Sequence, residues 1–181
     1  MFVIFPLLYI AIIVFSNISS SWFVPVPFGG TLSVADLTFG LVFTLRDAVH
    51  HVYRRRDIIY LFIFIALLCS TIALFILQEP LRIVLASAIG LVFSEALDTE
   101  LFHRLKRHWI IRILTSNAIS VPFDSALFFL IAFAGILSND MLLSLIATAT
   151  IVKYSISIIA LVLVYPAFRR VFRSPSFSFL R

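Results

Sequence analysis

The residues best placed to do chemistry in this sequence are ionisable groups inside long apolar runs. Glu95 and Asp98 lie three residues apart in one such run, Asp124 follows Pro122 in the next, and Lys153 is near the middle of the last. Each of these groups costs roughly 2.5–3.5 kcal/mol at the centre of a bilayer, so the protein has to enclose it around water, a partner or a ligand. They therefore indicate a buried polar site that binds or moves a solute.

Polar side chains recur at helical spacing around these charges. Asn117, Ser120 and Asp124 are separated by three and four residues, which places them on one face of a helix. We expect the groups to converge in the inner half of a helix bundle. The predicted substrate-binding residues, all polar or ionisable, are Asn17, Asp36, Glu95, Asp98, Asn117, Ser120, Asp124 and Lys153.

This set of side chains restricts the ligand only in part. A guanine-like edge presents adjacent N–H donors that a carboxylate can accept in pairs, while an asparagine offers both a donor and an acceptor. The twenty phenylalanines offer stacking surfaces, although most must face lipid. The chemistry permits a nucleobase without selecting it over a cation, an amine or protons.

A purely structural role is the alternative for several of these groups. Asp98 and Glu100 lie close enough to a helix end to be solvated, or to pair with Arg104 or Arg112. Lys153 is open to a role as counter-ion for a buried carboxylate.

Other ionisable residues are expected to be structural. Arg46 and Asp47 form either part of the site or a boundary pair with the basic loop 54–56. Cys69, inside an apolar run, is predicted to be a core residue. The histidines in the basic loops are predicted to lie at the surface; they are His50, His51, His103 and His108.

The composition points to a membrane protein. Of the 181 residues, 62% are hydrophobic and 13% charged, and the mean hydropathy is +1.12. Soluble domains are about 45–50% apolar and about 25% charged. Six membrane helices of about 20 residues would occupy about 120 residues, which leaves room only for short loops and a tail.

The predicted fold is therefore an all-α integral membrane protein, a bundle of six transmembrane helices. The expected segments are residues 2–18, 31–49, 58–77, 82–102, 109–137 with an interruption at Pro122, and 141–165. They form a single domain, 1–165, followed by a basic cytoplasmic tail, 166–181. The first segment lacks the positive residues that open a signal peptide, so it is expected to be retained.

Basic residues predict the orientation. Ten Lys and Arg residues lie in the loops after the second and fourth segments and in the tail. The positive-inside rule then places both termini in the cytoplasm of a multi-pass inner-membrane protein. The net charge of +5 is thereby explained without nucleic acid. The lipid bilayer is the expected partner, and a homo-oligomer stays open.

Two halves of three helices would have opposite topology, as in many transporters. Asp36 and Asp124 occupy the second segment of each half, each near a Pro-Phe pair. This is a weak internal match.

Enzymatic chemistry has no support in the sequence. Nucleophile-elbow, zinc-protease, P-loop and dinucleotide motifs are missing, so neither catalytic residues nor cofactors are predicted. Metal-ligand spacing is also missing, and no metal site is predicted.

The stretch Ser94–Gly135 resembles the queuosine precursor transporter family, also called the vitamin uptake transporter family. It reads SEALDTELFHRL and then WIIRILTSNAISVPFDSALFFLIAFAG. The residues that match the family pattern are Glu95, Asp98, Ser116, Asn117, Asp124, Ser125 and Phe128. Ser16-Asn17-Ile18 and the Pro-Phe-Gly-Gly turn before Asp36 are similar to family elements as well. The second segment ends L-R-D-A-V-H-H, where an acidic pair is more typical, which puts the role of Asp47 in doubt.

The resemblance implies uptake of 7-cyano-7-deazaguanine or a related deazapurine. Asp124 and Glu95 would then accept the N–H donors of the base, with Asn117 and Ser120 completing the contact. Asp98 would pair with Arg112 and gate the cytoplasmic side. Two alternatives stay open: a substrate-binding membrane subunit for another vitamin, and a non-transporting scaffold whose charges only pair helices.

Overall fold

Six α-helices account for most of the chain in the computed structural model, which describes residues 4–25, 31–53, 55–106 and 109–173. The helices are α1 (Ile4–Ile18), α2 (Val34–Val52), α3 (Arg56–Ile76), α4 (Leu81–Arg104), α5 (Trp109–Phe133) and α6 (Asn139–Arg173). A 3₁₀ turn (Ser19–Ser21) and two strands, β1 (Phe23–Pro25) and β2 (Thr31–Ser33), lie between α1 and α2.

Each of the six predicted segments is helical over most of its length, but the details of the last two differ. Pro122 lies inside α5 without ending it, so the predicted interruption is wrong. Proline removes one backbone donor and leaves the carbonyl of Ala118 without its usual partner, a local defect that the helix tolerates. Helix α6 continues through Pro166 to Arg173, so the first residues of the predicted tail are helical.

The strands form a short antiparallel hairpin that was not predicted by the all-α interpretation. Phe23 pairs with Ser33 and Pro25 with Thr31, while residues 26–30 lie outside the described part of the chain. Prolines and glycines in this stretch disfavour helix and suit a tight connection. The Ser33 side chain then caps α2 by accepting a hydrogen bond from the Ala35 N–H at 3.1 Å.

The main helix contacts close into a ring. Going round it, the order is α1, α2, α6, α5, α4, α3 and back to α1. In this ring α4 lies across from α2. The first three helices are centred on α1, which packs on α2 and α3, whereas in the last three α5 packs on both α4 and α6. Because an inverted repeat would make α4 the counterpart of α1, this arrangement gives the proposed inverted halves no support.

The ring has an apolar outside and a polar inside, the reverse of a soluble protein. Exposed large hydrophobic residues on α3 include Leu61, Phe64 and Ile72, whereas Glu95 and Asp98 are almost completely buried. Cys69 also lies on the exposed face of α3, so its prediction as a core residue is wrong. That helix is apolar all round, and hydropathy therefore does not show which of its faces packs inward.

By length and composition, three helical stretches in the described residues are able to span a bilayer. They are Arg56–Ile76, Ile110–Phe133 and Asn139–Leu163. Helices α2 and α4, with 19 and 24 residues, would be about 28 and 36 Å long but carry the buried charges that lower their hydropathy. Helix α1 is apolar and has 15 described residues. The expected count of six spans is therefore supported for three helices.

The ends of the helices nearest the hairpin are capped in different ways. Helix α3 ends where Gln78 adopts a left-handed φ of 57°. The Gln78 N–H then bonds to the Phe75 carbonyl and the Glu79 N–H to the Leu74 carbonyl, which is the Schellman pattern. Arg82 donates to the carbonyls of Ile131 and Ala134, and so ties the start of α4 to the end of α5. We call the end of the bundle nearest β1 and β2 the hairpin end. The opposite end, which has the α2–α3 and α4–α5 connections, is called the basic end.

Helices α2 and α6 pack closely at Gly40, where there is no room for a larger side chain. A Cβ placed there would lie 2.2 Å from Cγ2 and 2.5 Å from Cβ of Ile156, whereas a Cβ at Gly90 would have its nearest neighbour at 3.5 Å. Gly40→Ala should therefore destabilise the protein by about 1–3 kcal/mol through overpacking. Gly90→Ala, the control, should be neutral or mildly stabilising, because alanine favours helix by about 1 kcal/mol. Thermal unfolding of the detergent-purified variants checks this, and equal midpoints would contradict it.

Candidate functional site

Buried charges inside the ring form two separate groups. The first, the Arg46 cluster, contains Arg46, Glu95, Asp98 and Asn117, together with Tyr9, Ser120 and Ser157. The second, the Lys153 cluster, contains Lys153, Asp36, Asp124 and Ser94.

The Arg46 guanidinium is at the centre of the first group. Its Nη1 lies 3.3 Å from Glu95 Oε1, and its Nη2 lies 3.0 Å from Asp98 Oδ1. Nη2 also donates to the Asn117 side-chain oxygen. The Arg46 side chain is only 1% exposed, yet the planar fork of donors lets one cation bond to two carboxylates and an amide at once.

Further hydrogen bonds complete the Arg46 cluster. Tyr9 donates to Glu95 Oε2 at 2.8 Å, and Ser120 donates to Asp98 Oδ1 at 3.2 Å. The Asn117 amide donates to Ser157 at 3.0 Å. As a result, α1, α2, α4, α5 and α6 each contribute a side chain to this one network, which satisfies polar groups that would otherwise be costly to bury.

Lys153 is at the centre of the second group. Its Nζ lies 3.1 Å from Asp124 Oδ2 and 3.5 Å from Asp36 Oδ1, and it lies over the Phe39 ring at 4.7 Å. Ser94 donates to the other oxygen of Asp124 at 3.1 Å. Lys153 therefore has the contacts predicted for a counter-ion of a buried carboxylate.

A cavity of about 370 Å³ lies directly against the Lys153 cluster. Small-molecule sites are commonly about 300–1,000 Å³ in volume, mostly apolar, with a few convergent polar groups. Asp36, Asp124 and Lys153 supply charged groups to its wall, and Asn17 supplies an amide. Other lining residues lie at the hairpin end, including Ser20 of the 3₁₀ turn, Ser33 of β2, Glu79 between α3 and α4, and Ile83 of α4.

Aromatic side chains form much of the remaining wall. Phe39 of α2 faces the cavity, as do Phe128, Phe129 and Phe133 of α5. The rings of Phe128 and Phe129 are 5.4 Å apart and nearly perpendicular, so one cavity wall consists of packed aromatic faces and edges. Such a surface suits a flat, unsaturated ligand.

The eight predicted site residues thus divide evenly between two locations. Asn17, Asp36, Asp124 and Lys153 line the cavity. The other four belong to the Arg46 cluster; they are Glu95, Asp98, Asn117 and Ser120. In this structure the eight residues therefore lie in two neighbouring groups, four at the cavity and four around Arg46. Among the residues that the structure describes, no group of three or more metal-ligating side chains lies together.

Arg46 is the important residue that the sequence reasoning did not place in the site. The predicted second segment ended at 49, which made a boundary pair an equal alternative. Helix α2 continues to Val52, so Arg46 lies deeper and is buried. The same extension buries His50 against Phe102, with ring centroids 4.8 Å apart, which makes its prediction as a surface residue wrong. The side chains of Asp47 and His51 lie outside what the structure describes, as does the whole of His108.

The predicted pairing of Asp98 and Glu100 with Arg104 or Arg112 involves residues near the basic end. Glu100 pairs with Arg56 at 3.1 Å and with Arg104 at 3.5 Å, which is the boundary role expected for it. Arg112 donates to the Phe102 carbonyl and lies 3.9 Å over the Phe102 ring, whereas the cation beside Asp98 is Arg46. Asp98 is fully buried, so the solvated alternative for it is wrong.

Removing one member of the Arg46 cluster should be far more damaging than removing an exposed ion pair. Arg46→Met leaves two buried carboxylates without their cation, a change that typically costs about 3–5 kcal/mol. The matched control is Arg104→Met, because the Arg104 side chain is 77% exposed and such pairs contribute about 0.2–1 kcal/mol. Thermal unfolding in detergent compares the two. Similar losses in both variants would show that the Arg46 contacts contribute little.

Comparison with known proteins identifies the family of this chain. Residues 33–167 match the family model described as "Putative vitamin uptake transporter". The chain is also 26% identical over 169 residues to the "Probable queuosine precursor transporter" of Bacillus subtilis (strain 168), covering 77% of this chain and 73% of that protein. No solved structure matches. Since the matched region includes α2 to α5 and most of α6, the chain belongs to the vitamin uptake transporter family of multi-pass membrane proteins.

Proposed function

We propose that this protein imports a purine-like queuosine precursor, 7-cyano-7-deazaguanine or a related deazapurine, by way of the cavity beside Lys153. The observation that supports this most directly is the chemistry of the cavity wall. Two carboxylates and one ammonium group lie at one side of a mostly apolar, aromatic-lined space. The Bacillus subtilis relative, described as a probable queuosine precursor transporter, supports the same class of substrate.

The wall can satisfy the polar edge of such a base. Asp36 is the more accessible carboxylate, with its side chain 15% exposed, so it is the best candidate to accept adjacent N–H donors. Lys153 carries three N–H donors and is able to share one with a ring carbonyl or nitrile. Asn17 donates to Ser70, which leaves its side-chain oxygen as a further acceptor.

The phenylalanines would hold the flat face of the base. Phe39 lies beside Lys153, and the aromatic wall of α5 provides the remaining surface. Glu95, Asn117 and Ser120 bond to Arg46 or its neighbours in this state, so we assign them no direct ligand contact here. The ligand site therefore shifts from the expected inner half of the bundle toward the hairpin end.

We propose six membrane spans, with both termini in the cytoplasm and the protein in the inner membrane. The basic residues of the loops and tail support this through the positive-inside rule. In that orientation the cavity lies toward the outer face of the membrane, as uptake requires. This function includes no catalytic step. Its proposed partners are the deazapurine substrate and the lipid bilayer.

Ligand-induced stabilisation provides the first test of the substrate class. At 100 times its dissociation constant, a ligand stabilises the folded state by about 2.7 kcal/mol. We expect 7-cyano-7-deazaguanine to raise the unfolding midpoint of the purified protein, with adenine and unrelated vitamins as comparison compounds. A rise with another vitamin alone would favour the substrate-binding subunit. A flat response in folded protein would favour the scaffold.

Asp124→Asn tests the cavity charges in a transport assay. The variant removes the charge opposite Lys153 while keeping the shape of the side chain, so uptake of the deazapurine should be abolished with membrane insertion intact. Asp57→Asn is the control, because Asp57 forms an exposed ion pair with Arg55 and lies at the basic end, away from the cavity. Near-normal uptake by Asp124→Asn would contradict the role given to this residue.

A further inference from the structure

The Arg46 cluster lies directly beyond the cavity on every helix that contributes to both. On α2 the cavity wall reaches Phe39 and the cluster follows at Arg46; on α4 the wall reaches Leu91 and the cluster follows at Glu95. The corresponding steps on α1, α5 and α6 run from Asn17 to Tyr9, from Asp124 to Ser120 and from Lys153 to Ser157. These separations of four to eight residues correspond to about 6–12 Å along a helix.

The two clusters connect the ring in different ways. Lys153 of α6 bonds to Asp36 and Asp124, which belong to its ring neighbours α2 and α5. These contacts run around the cavity wall and leave its centre open. Arg46 of α2 instead bonds to Glu95 and Asp98 of α4, the helix across the ring. This contact passes through the middle, where a solute would have to travel.

An apolar layer follows the Arg46 cluster toward the basic end. Phe102, Ile113 and Leu161 form a buried group there, with Ile110 and Leu114 packed against it. The interior is thus accessible from the cavity on one side of Arg46 and is packed with side chains on the other.

We infer that Arg46 is the residue that closes the passage on the basic side of the cavity, by reaching across the helix ring to Glu95, Asp98 and Asn117. This inference rests on the proposed function, because a closure matters only if a solute passes. Movement of the ligand toward the basic end requires these cross-ring contacts to break and re-form in each cycle. Alternating exposure then depends on the stability of this one network relative to the ligand-bound state.

Arg46→Lys tests whether the cross-ring hydrogen bonds of Arg46, and not only its positive charge, are needed to close the passage. Lysine keeps the positive charge but lacks the planar fork that bonds to several acceptors at once, so the cross-ring contacts should weaken. Arg104→Lys, at the exposed pair with Glu100, is the matched control. Glu95→Gln provides a second variant that weakens the same contact from the other helix.

Cysteine accessibility measures the closure without any substrate. In full-length protein with Cys69→Ala, which removes the exposed thiol, single cysteines replace Ser87 in the cavity wall or Ser116, which is buried beside Asn117. A membrane-impermeant maleimide is then applied from either face of the membrane. With Arg46 present, Ser87→Cys should react from one face only, which identifies the hairpin side, and Ser116→Cys should be protected from both.

In Arg46→Lys, labelling of Ser116→Cys from the opposite face should rise by about tenfold, the effect of a 1.4 kcal/mol shift in the equilibrium. Arg104→Lys should leave both patterns unchanged. Continued protection of Ser116→Cys in Arg46→Lys, or in Glu95→Gln if the lysine variant fails to fold, would overturn the inference. Because no ligand is used, a negative deazapurine screen would affect the proposed substrate and leave this result standing.

Discussion

Burying charge inside a bilayer is the constraint on which this structure depends. Charged groups in the membrane interior persist only when they are paired or face an enclosed polar space. Here each buried cation has two carboxyl partners: Arg46 lies between Glu95 and Asp98, and Lys153 between Asp36 and Asp124. The helices therefore have to meet where these groups meet. In each cluster two carboxyl groups thus share one cation, and neighbouring hydroxyl or amide groups supply further hydrogen bonds.

The two clusters differ in which helices they join and in what lies beside them. The Lys153 cluster joins neighbouring helices at the cavity wall, so its polar atoms remain next to an open space that can hold a small aromatic solute. The Arg46 cluster joins opposite helices and fills the interior beyond that space. Two groups of nearly the same composition thus lie in successive layers, one against a cavity and the other packed between helices on opposite sides of the ring. The difference arises from which helices they connect.

The sequence reasoning was most successful for residues whose environment is set by their own helix. The polar stripe Asn117, Ser120 and Asp124 is buried as the helical spacing predicts, and Lys153 has the carboxylate partner expected of a charge in an apolar span. It failed where an assignment depended on an exact helix end or on a packing face. Arg46 and His50 lie near the end of the predicted second segment, whereas α2 continues to Val52 and buries both side chains. Cys69 lies on an outward face of a uniformly apolar helix.

Hydropathy and charge alone determined that this is a helical membrane protein with polar groups in its interior, because the energetic penalty of burying charge in lipid acts on each segment separately. Only the tertiary structure decided that the eight candidate residues divide between a cavity and a packed layer, and that Arg46 of α2 joins α4 and α5 in that layer. Those contacts join residues 49 and 71 positions apart, Arg46 to Glu95 and to Asn117. Helical periodicity shows which face of a helix is polar, but which helix lies opposite is determined by the packing of all six around a common interior.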